Sequence, residues 1–145
     1  MDKKGFTLIE LLVVLGILTI LASIAVPLYI GYERGAARQE ATTNLQGLSL
    51  CLEQYYAENA QYTPALNTTY IWNTTSSGSV NTHTLTDWLT SFNPKKAAGT
   101  VNNYEYTVSA ATISTYAATA IPLYGPVKGD GNLTLDNNGN KTGKW

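Results

Sequence analysis

Two patterns of apolar residues follow one another in the first half of the chain. From Leu11 to Tyr32, 22 successive residues carry no charge. At about 1.5 Å per residue, a helix of that length crosses a hydrocarbon layer of about 30 Å. Beyond it, apolar residues recur at intervals of three and four, as on one stripe of an amphipathic helix: Ala41, Leu45, Leu48, Leu52 and Tyr55. Together these patterns predict one helix from Phe6 to about Ala57, about 78 Å long.

Pro27 lies inside this predicted helix. It lacks a backbone donor and its ring meets the carbonyl of Ser23, so we expect a kink or a local opening of the helix there. Three nearby glycines weaken the helix by about 1 kcal/mol each relative to Ala: Gly16, Gly31 and Gly35.

The second half of the chain changes to a composition rich in Thr, Ser and Asn. We interpret residues 58–103 as a connecting region, in which a short helix is predicted to begin at Thr86 or Asp87. The apolar residues around that point have helical spacing: Leu85, Trp88, Leu89 and Phe92.

Residues 104–145 carry the alternation and the turn signals of β-strands. Residues 104–108 alternate, which places Tyr104, Tyr106 and Val108 on one face. Further strands are predicted over 112–121, 132–136 and 141–145, with a turn over 137–139. The sequence therefore predicts an α+β fold, in which a small antiparallel sheet of three or four strands packs against the outer half of the long helix.

Composition narrows the classes of function. The chain has 9 Lys and Arg against 10 Asp and Glu, a net charge of -1, which argues against a generic cationic nucleic-acid binder. With one cysteine, Cys51, it can form neither an intramolecular disulfide nor a zinc cluster of several cysteines. No carboxylate pair, catalytic triad or phosphate-binding loop is recognisable, so we expect neither an enzyme nor a cofactor.

The amino-terminal apolar segment has three interpretations. Small residues at Ala22 and Ala25 fit a cleaved secretory signal, but the apolar run exceeds the usual length of about 7–15 residues and continues past that site. A plain membrane anchor is the second interpretation, with Lys3 and Lys4 holding the start of the chain in the cytoplasm. The third must explain Glu10, because a carboxylate near the start of a membrane segment is costly and usually paired.

The residues around Glu10 carry a specific resemblance. The run from Lys3 to Glu10, KKGFTLIE, resembles the processing signal of type IV pilins and pseudopilins: a short basic leader ending in Gly5, then Phe6, then an apolar run with Glu as its fifth residue. The resemblance implies that a prepilin peptidase cuts after Gly5 and that Phe6 becomes the N-methylated amino terminus. It further implies that Glu10 pairs with the Phe6 amine of a neighbouring subunit, and that the helix stretches near Pro27 in the filament.

This resemblance suggests a division of the chain. It implies a leader over 1–5, a transmembrane and filament-core helix over 6–32, an amphipathic continuation over 33–57, the connecting region over 58–103, and a β-sheet head over 104–145. The implied partners are other copies of the subunit, the prepilin peptidase and a pilus assembly platform. The implied location is the inner membrane before assembly and an extracellular filament afterwards.

Many pilins close the carboxy-terminal loop with a disulfide, which this chain cannot form, and the major pseudopilins use calcium. The oxygen-rich residues Asp130, Asn132 and Asp136 are weak candidate ligands for such a hard cation. They lack the ligand spacing of an EF-hand, and turn formation explains the same residues.

Three functions follow from the resemblance. The first is a structural subunit of a type IV pilus, serving adhesion, motility or DNA uptake. The second is a pseudopilin of a type II secretion system. The third is a minor pilin that binds DNA, for which Lys128, Lys141 and Lys144 would provide only weak, salt-sensitive contacts.

Overall fold

The first half of the chain forms one long helix. The computed structural model describes residues 5–72, 83–94, 103–123 and 125–145, so the leader implied over 1–5 lies outside the described residues except for Gly5. Helix α1 runs from Leu8 to Asn59, and the helix predicted from Phe6 to about Ala57 is confirmed to within two residues at each end. It ends at Ala60, whose left-handed backbone (φ 56°) lets its N–H donate to the Tyr56 carbonyl at 2.8 Å.

The helix passes Pro27 without a break. The local opening expected there is therefore absent from this single subunit. A proline removes one hydrogen bond of the helical ladder, and the 52-residue helix continues on either side of the gap.

Within the described residues, six strands form a sheet that packs against the outer half of α1, which confirms the α+β fold. The strands are β1 (Thr69–Ile71), β2 (His83–Thr84), β3 (Tyr104–Thr112), β4 (Thr115–Pro122), β5 (Leu133–Asp136) and β6 (Lys141–Thr142). Their order across the sheet is β2-β1-β3-β4-β5-β6, and every neighbouring pair is antiparallel except β1 and β2. The predicted antiparallel sheet corresponds to β3–β6, and the connecting region adds β1 and β2.

The core lies between the inner stripe of α1 and the inner face of the sheet. The alternation predicted for β3 is confirmed, since Tyr104, Tyr106 and Val108 are all buried against the helix. The predicted stripe is confirmed as well, with Tyr55 half-buried and the others fully buried: Ala41, Leu45, Leu48 and Leu52. Cys51 is half-buried beside this cluster, as a small apolar residue at the edge of the stripe would be.

The connecting region contributes more to the core than its composition indicated. Several of its apolar residues are buried in the core cluster: Tyr62, Tyr70, Leu85, Leu89 and Phe92. The short helix predicted to begin at Thr86 or Asp87 is instead one 3-10 turn, Leu85–Asp87. The Thr84 hydroxyl donates to the Asp87 carboxylate at 2.5 Å and closes that turn.

Two predicted strands have different bounds. The strand predicted over 112–121 was wrong at its start, because Thr112 ends β3 and the chain reverses at Ile113 and Ser114 before β4. A hydrogen bond of 2.6 Å between the hydroxyl groups of Thr112 and Thr115 closes this turn. The strand predicted over 141–145 was too long, because Gly143 turns the chain away with a φ of 98°.

Candidate functional site

The apolar half of α1 is uncovered in the single subunit. Every residue from Gly5 to Ala36 is exposed, and the first buried residue of the helix is Ala37. By length and composition, α1 is the one helix among the described residues that could span a membrane. The exposed segment has no charged residue from Leu11 to Tyr32. Such a surface requires cover, whether by lipid or by other copies of the chain.

Glu10 forms a capping box with Thr7 at the start of α1. The Thr7 backbone N–H donates to Glu10 Oε2 at 2.8 Å, and the Thr7 hydroxyl donates to the same oxygen at 2.6 Å. In return, the Glu10 N–H donates to Thr7 Oγ1 at 3.3 Å. This reciprocal arrangement satisfies backbone donors that the first turn of a helix leaves unpaired.

The capping box changes the energetics expected for Glu10. The sequence predicts a carboxylate without a partner until a neighbouring subunit supplies one, yet Thr7 already donates two hydrogen bonds to it. Both bonds end on Oε2 and leave Oε1 for a further donor. Thr7 was missed in the sequence, although a Thr followed three residues later by Glu before an apolar run is a known signal of a helix start.

Gly5 and Phe6 lie immediately before the capping box and are open to solvent. Phe6 has 88% of its surface exposed. Among the described residues other than its chain neighbours, none has an atom within 4 Å of the position that a Cβ would take on Gly5. Phe6 is four residues from Glu10, at the same end of the helix, whereas Pro27 lies about five turns further along.

A second polar cluster joins the carboxy-terminal part of the chain to α1 just beyond the apolar segment. Arg38 Nη2 lies 2.8 Å from Asp130 Oδ2, and Lys144 Nζ lies 3.3 Å from Asp130 Oδ1. The side chain of Asp130 is only 7% exposed. One turn earlier, Arg34 Nε donates to the Pro126 carbonyl at 2.7 Å. The hydrogen bond from Arg38 is the main cause that lowers the pKa of Asp130.

The weak candidates for a cation site do not converge. Asp130 is held by two cationic side chains. Asp136 closes its own turn, accepting from the Asn138 and Asn140 N–H groups at 2.9 Å, and the Asn140 bonds lower its pKa. Within the described ranges, no group of three His, Cys, Asp or Glu side chains is arranged to hold a metal ion.

Two of the three lysines considered for DNA contacts have partners in the chain. Lys144 pairs with Asp130, and the Lys141 ammonium lies 4.6 Å from the centre of the Trp145 ring. Lys128 is exposed on the loop between β4 and β5. The three cations therefore do not form a row of unpaired charges of the kind that tracks a nucleic-acid backbone.

Comparisons with known proteins find similarity over part of the chain. Residues 1–26 match the family described as a prokaryotic N-terminal methylation motif. The chain is 38% identical over 65 residues to a type IV major pilin of Myxococcus xanthus, covering 45% of this chain and 30% of that protein. It is 40% identical over 60 residues to a type II secretion system core protein G of Pectobacterium carotovorum, covering 41% and 38%.

A fimbrial protein of Neisseria meningitidis serogroup A is 39% identical over 66 residues, covering 46% of this chain and 38% of that protein. The chain thus spans less than half the length of these curated relatives. No solved structure matches the chain.

Proposed function

We propose that this chain is a structural subunit of an extracellular type IV pilus. The proposal starts from its similarity to the type IV pilin and pseudopilin family. In this proposal the prepilin peptidase cuts after Gly5, the new amino terminus of Phe6 is methylated, and the apolar half of α1 stays with the mature protein. That half lies in the inner membrane before assembly and in the filament core afterwards.

The observation that carries the proposal is the contrast between the two halves of α1. The outer half is covered by the sheet of the same subunit, whereas all residues from Gly5 to Ala36 are exposed. A helix with one covered and one uncovered half can exchange lipid for neighbouring helices without unfolding its head. Apolar burial is retained through this exchange, so assembly avoids the cost of exposing the segment to water.

Glu10 provides a polar contact between neighbouring subunits in this proposal. Its Oε1 accepts from the Phe6 amine of the next subunit, while Oε2 keeps both hydrogen bonds from Thr7. Because the carboxylate is already partly satisfied, the gain on assembly comes from pairing two opposite charges in apolar surroundings. The contact favours the arrangement of subunits that brings amine and carboxylate together.

A pseudopilin of a type II secretion system is the second candidate. It is favoured by the identity of 40% to a type II secretion core protein G, close to the 38% found with a major pilin. We favour the pilus because the Asp130 carboxylate is paired with Arg38 and Lys144, so these ion pairs link the carboxy-terminal part of the head to α1.

The test is the composition of surface filaments sheared from cells that express the chain. A pilus subunit dominates these filaments, whereas a pseudopilin is required for protein secretion and is absent from them at natural expression. Glu10→Val should give processed protein that stays in the membrane. Glu58→Gln, on the exposed outer part of α1, is the matched control and should assemble normally. Normal filaments from Glu10→Val would contradict the assembly role.

A further inference from the structure

We propose that the loop formed by residues 125–131 docks the head on the membrane surface before assembly, with Lys128 bound to anionic lipid headgroups. We call this segment the lower loop. The inference rests on the proposed function, because it requires the apolar half of α1 to span a membrane. It adds a defined lipid-binding surface on the head.

The length of the apolar segment indicates where along α1 the membrane surface lies. Its 22 uncharged residues end at Tyr32 and match the thickness of the hydrocarbon core, so the next residues enter the headgroup layer. Two exposed tyrosines, Tyr29 and Tyr32, lie one turn apart at that boundary. Tyrosine is enriched where a transmembrane helix meets the headgroups, which supports this placement.

The lower loop is bonded to α1 just beyond this membrane boundary. The Pro126 carbonyl accepts from Arg34, which is two residues beyond Tyr32, and Asp130 pairs with Arg38, which is six residues beyond it. At about 1.5 Å per residue these anchors lie within about 10 Å of the hydrocarbon boundary, which is close to the depth of a headgroup layer.

Lys128 lies between the two anchors and is exposed. Its neighbour Val127 is fully buried in the core, and backbone bonds from Lys128 to Gly125 (3.3 Å) and from Asp130 to Val127 (2.9 Å) close the turn around it. The lysine is therefore carried on a rigid support, with its side chain free to reach lipid.

Charge at this end of the head favours anionic lipid. The helix segment 33–40, the lower loop and Lys144 together carry four cations against three carboxylates, Glu33, Glu40 and Asp130. Asp130 is occupied by Arg38 and Lys144, so it does not compete for Lys128 through a direct bond. A lysine at the surface of an anionic membrane gains electrostatic attraction that neutral lipid does not provide.

The full chain, reconstituted in vesicles, allows a direct test by residue-specific amine labelling. The rate at which an acylating reagent modifies Lys128 is compared between vesicles of phosphatidylcholine alone and vesicles of equal parts phosphatidylcholine and phosphatidylglycerol. We expect Lys128 to react about fivefold more slowly in the anionic vesicles, and the difference to vanish at high salt. Lys141, which lies on β6 opposite Leu135 and outside the lower loop, is the internal control and should react at similar rates in both.

Equal rates for Lys128 in the two vesicles would overturn the inference, as would an equal slowing of Lys141. Soluble inorganic phosphate or duplex DNA, added to neutral vesicles, should leave Lys128 unprotected. Protection by either to the same extent as by phosphatidylglycerol would identify a free anion or nucleic acid as the partner and contradict the assignment to lipid.

Two further measurements separate this inference from the proposed function. Hydrogen exchange in residues 125–131 should be slower in anionic vesicles for the natural chain and for the control variant Lys141→Gln, but not for Lys128→Gln. Flotation of the chain with either kind of vesicle reports insertion of α1. Flotation without any dependence on anionic lipid overturns only the docking of the head, whereas failure to float overturns the proposed membrane segment as well.

Discussion

Arg38 and Asp130 are 92 residues apart in the sequence, yet the Arg38 Nε donates to Asp130 Oδ2 at 2.8 Å. The same aspartate receives Lys144 on its other oxygen. One carboxylate thus connects the long helix, the loop before β5 and the carboxy-terminal tail. This ion-pair cluster is a noncovalent link between segments that are distant in the sequence.

Replacement of Arg38 should destabilise the head. In Arg38→Ala the nearly buried Asp130 loses its main partner, so we expect the free energy of unfolding to fall by about 1–2 kcal/mol. Lys144→Ala should cost less, about 0–1 kcal/mol, because Lys144 Nζ is at 3.3 Å and its side chain is 58% exposed. Urea denaturation of the full chain in micelles, followed by tryptophan fluorescence, measures both. Equal losses for the two variants would contradict this ranking.

The same cluster should make the free energy of unfolding depend on pH, with a loss of stability in acid. The pKa of Asp130 is lowered mainly by the Arg38 hydrogen bond, so the folded state binds its proton less readily than the unfolded state. This stabilisation is fully present above the unfolded pKa of about 3.9 and is lost as the pH falls through the lower folded value. The gap in the free energy of unfolding between the natural chain and Asp130→Asn should therefore be constant from neutral pH to about 5 and shrink below about 4.

Thermal unfolding of both proteins across this pH range measures that gap. Asp136 also has a lowered pKa, so some sensitivity to acid should remain in Asp130→Asn. A gap that keeps its neutral value at strongly acidic pH would show that Asp130 contributes through something other than its charge.

Two leucines on α1 provide a matched pair that tests the packing. Leu48 is fully buried against the sheet, whereas Leu50, two residues later, is 72% exposed. Leu48→Ala should lower the free energy of unfolding by about 2–5 kcal/mol, while Leu50→Ala should change it by less than about 0.5 kcal/mol. Denaturation of the two variants under the same conditions compares them. Similar effects would mean that the helix does not present the observed face to the sheet.

Two glycines in the carboxy-terminal hairpin should differ in their tolerance of alanine. A Cβ on Gly143, with a φ of 98°, would collide with the Asn132 carbonyl oxygen, whereas a Cβ on Gly139, with a φ of 80°, would meet nothing within 4 Å. Gly139→Ala should cost about 1–2 kcal/mol for its left-handed backbone, and Gly143→Ala should cost more. Hydrogen exchange of β6 reports whether the tail detaches, which is expected for Gly143→Ala alone.

The helix and the central strands could be predicted because their signals are local. The spacing of Leu45, Leu48 and Leu52 identifies a helical face, and the alternation around Tyr106 identifies a strand, without any knowledge of the rest of the chain. Ile113 was misassigned for the same reason. Its β-branched side chain favours a strand, but the neighbouring hydroxyls form a turn and leave it exposed.

Contacts between distant segments could not be predicted from one sequence. Nothing near Arg38 indicates which of the carboxylates it meets, and nothing near Tyr70 shows that the connecting region adds strands to the sheet. In the candidate site, the roles of Gly5, Phe6 and Glu10 stay predictions that rest on the family resemblance, whereas Thr7 was overlooked although its capping signal is local.

The amino-terminal residue of the mature protein is the most direct test of the central claim, that the apolar half of α1 remains and becomes the core of a filament. Intact mass and amino-terminal peptide mapping of the protein from membranes and from sheared filaments determine it. The account predicts that the chain starts at Phe6 and carries one added methyl group on its amine. A mature chain that starts after Ala25, without the apolar helix, would contradict it.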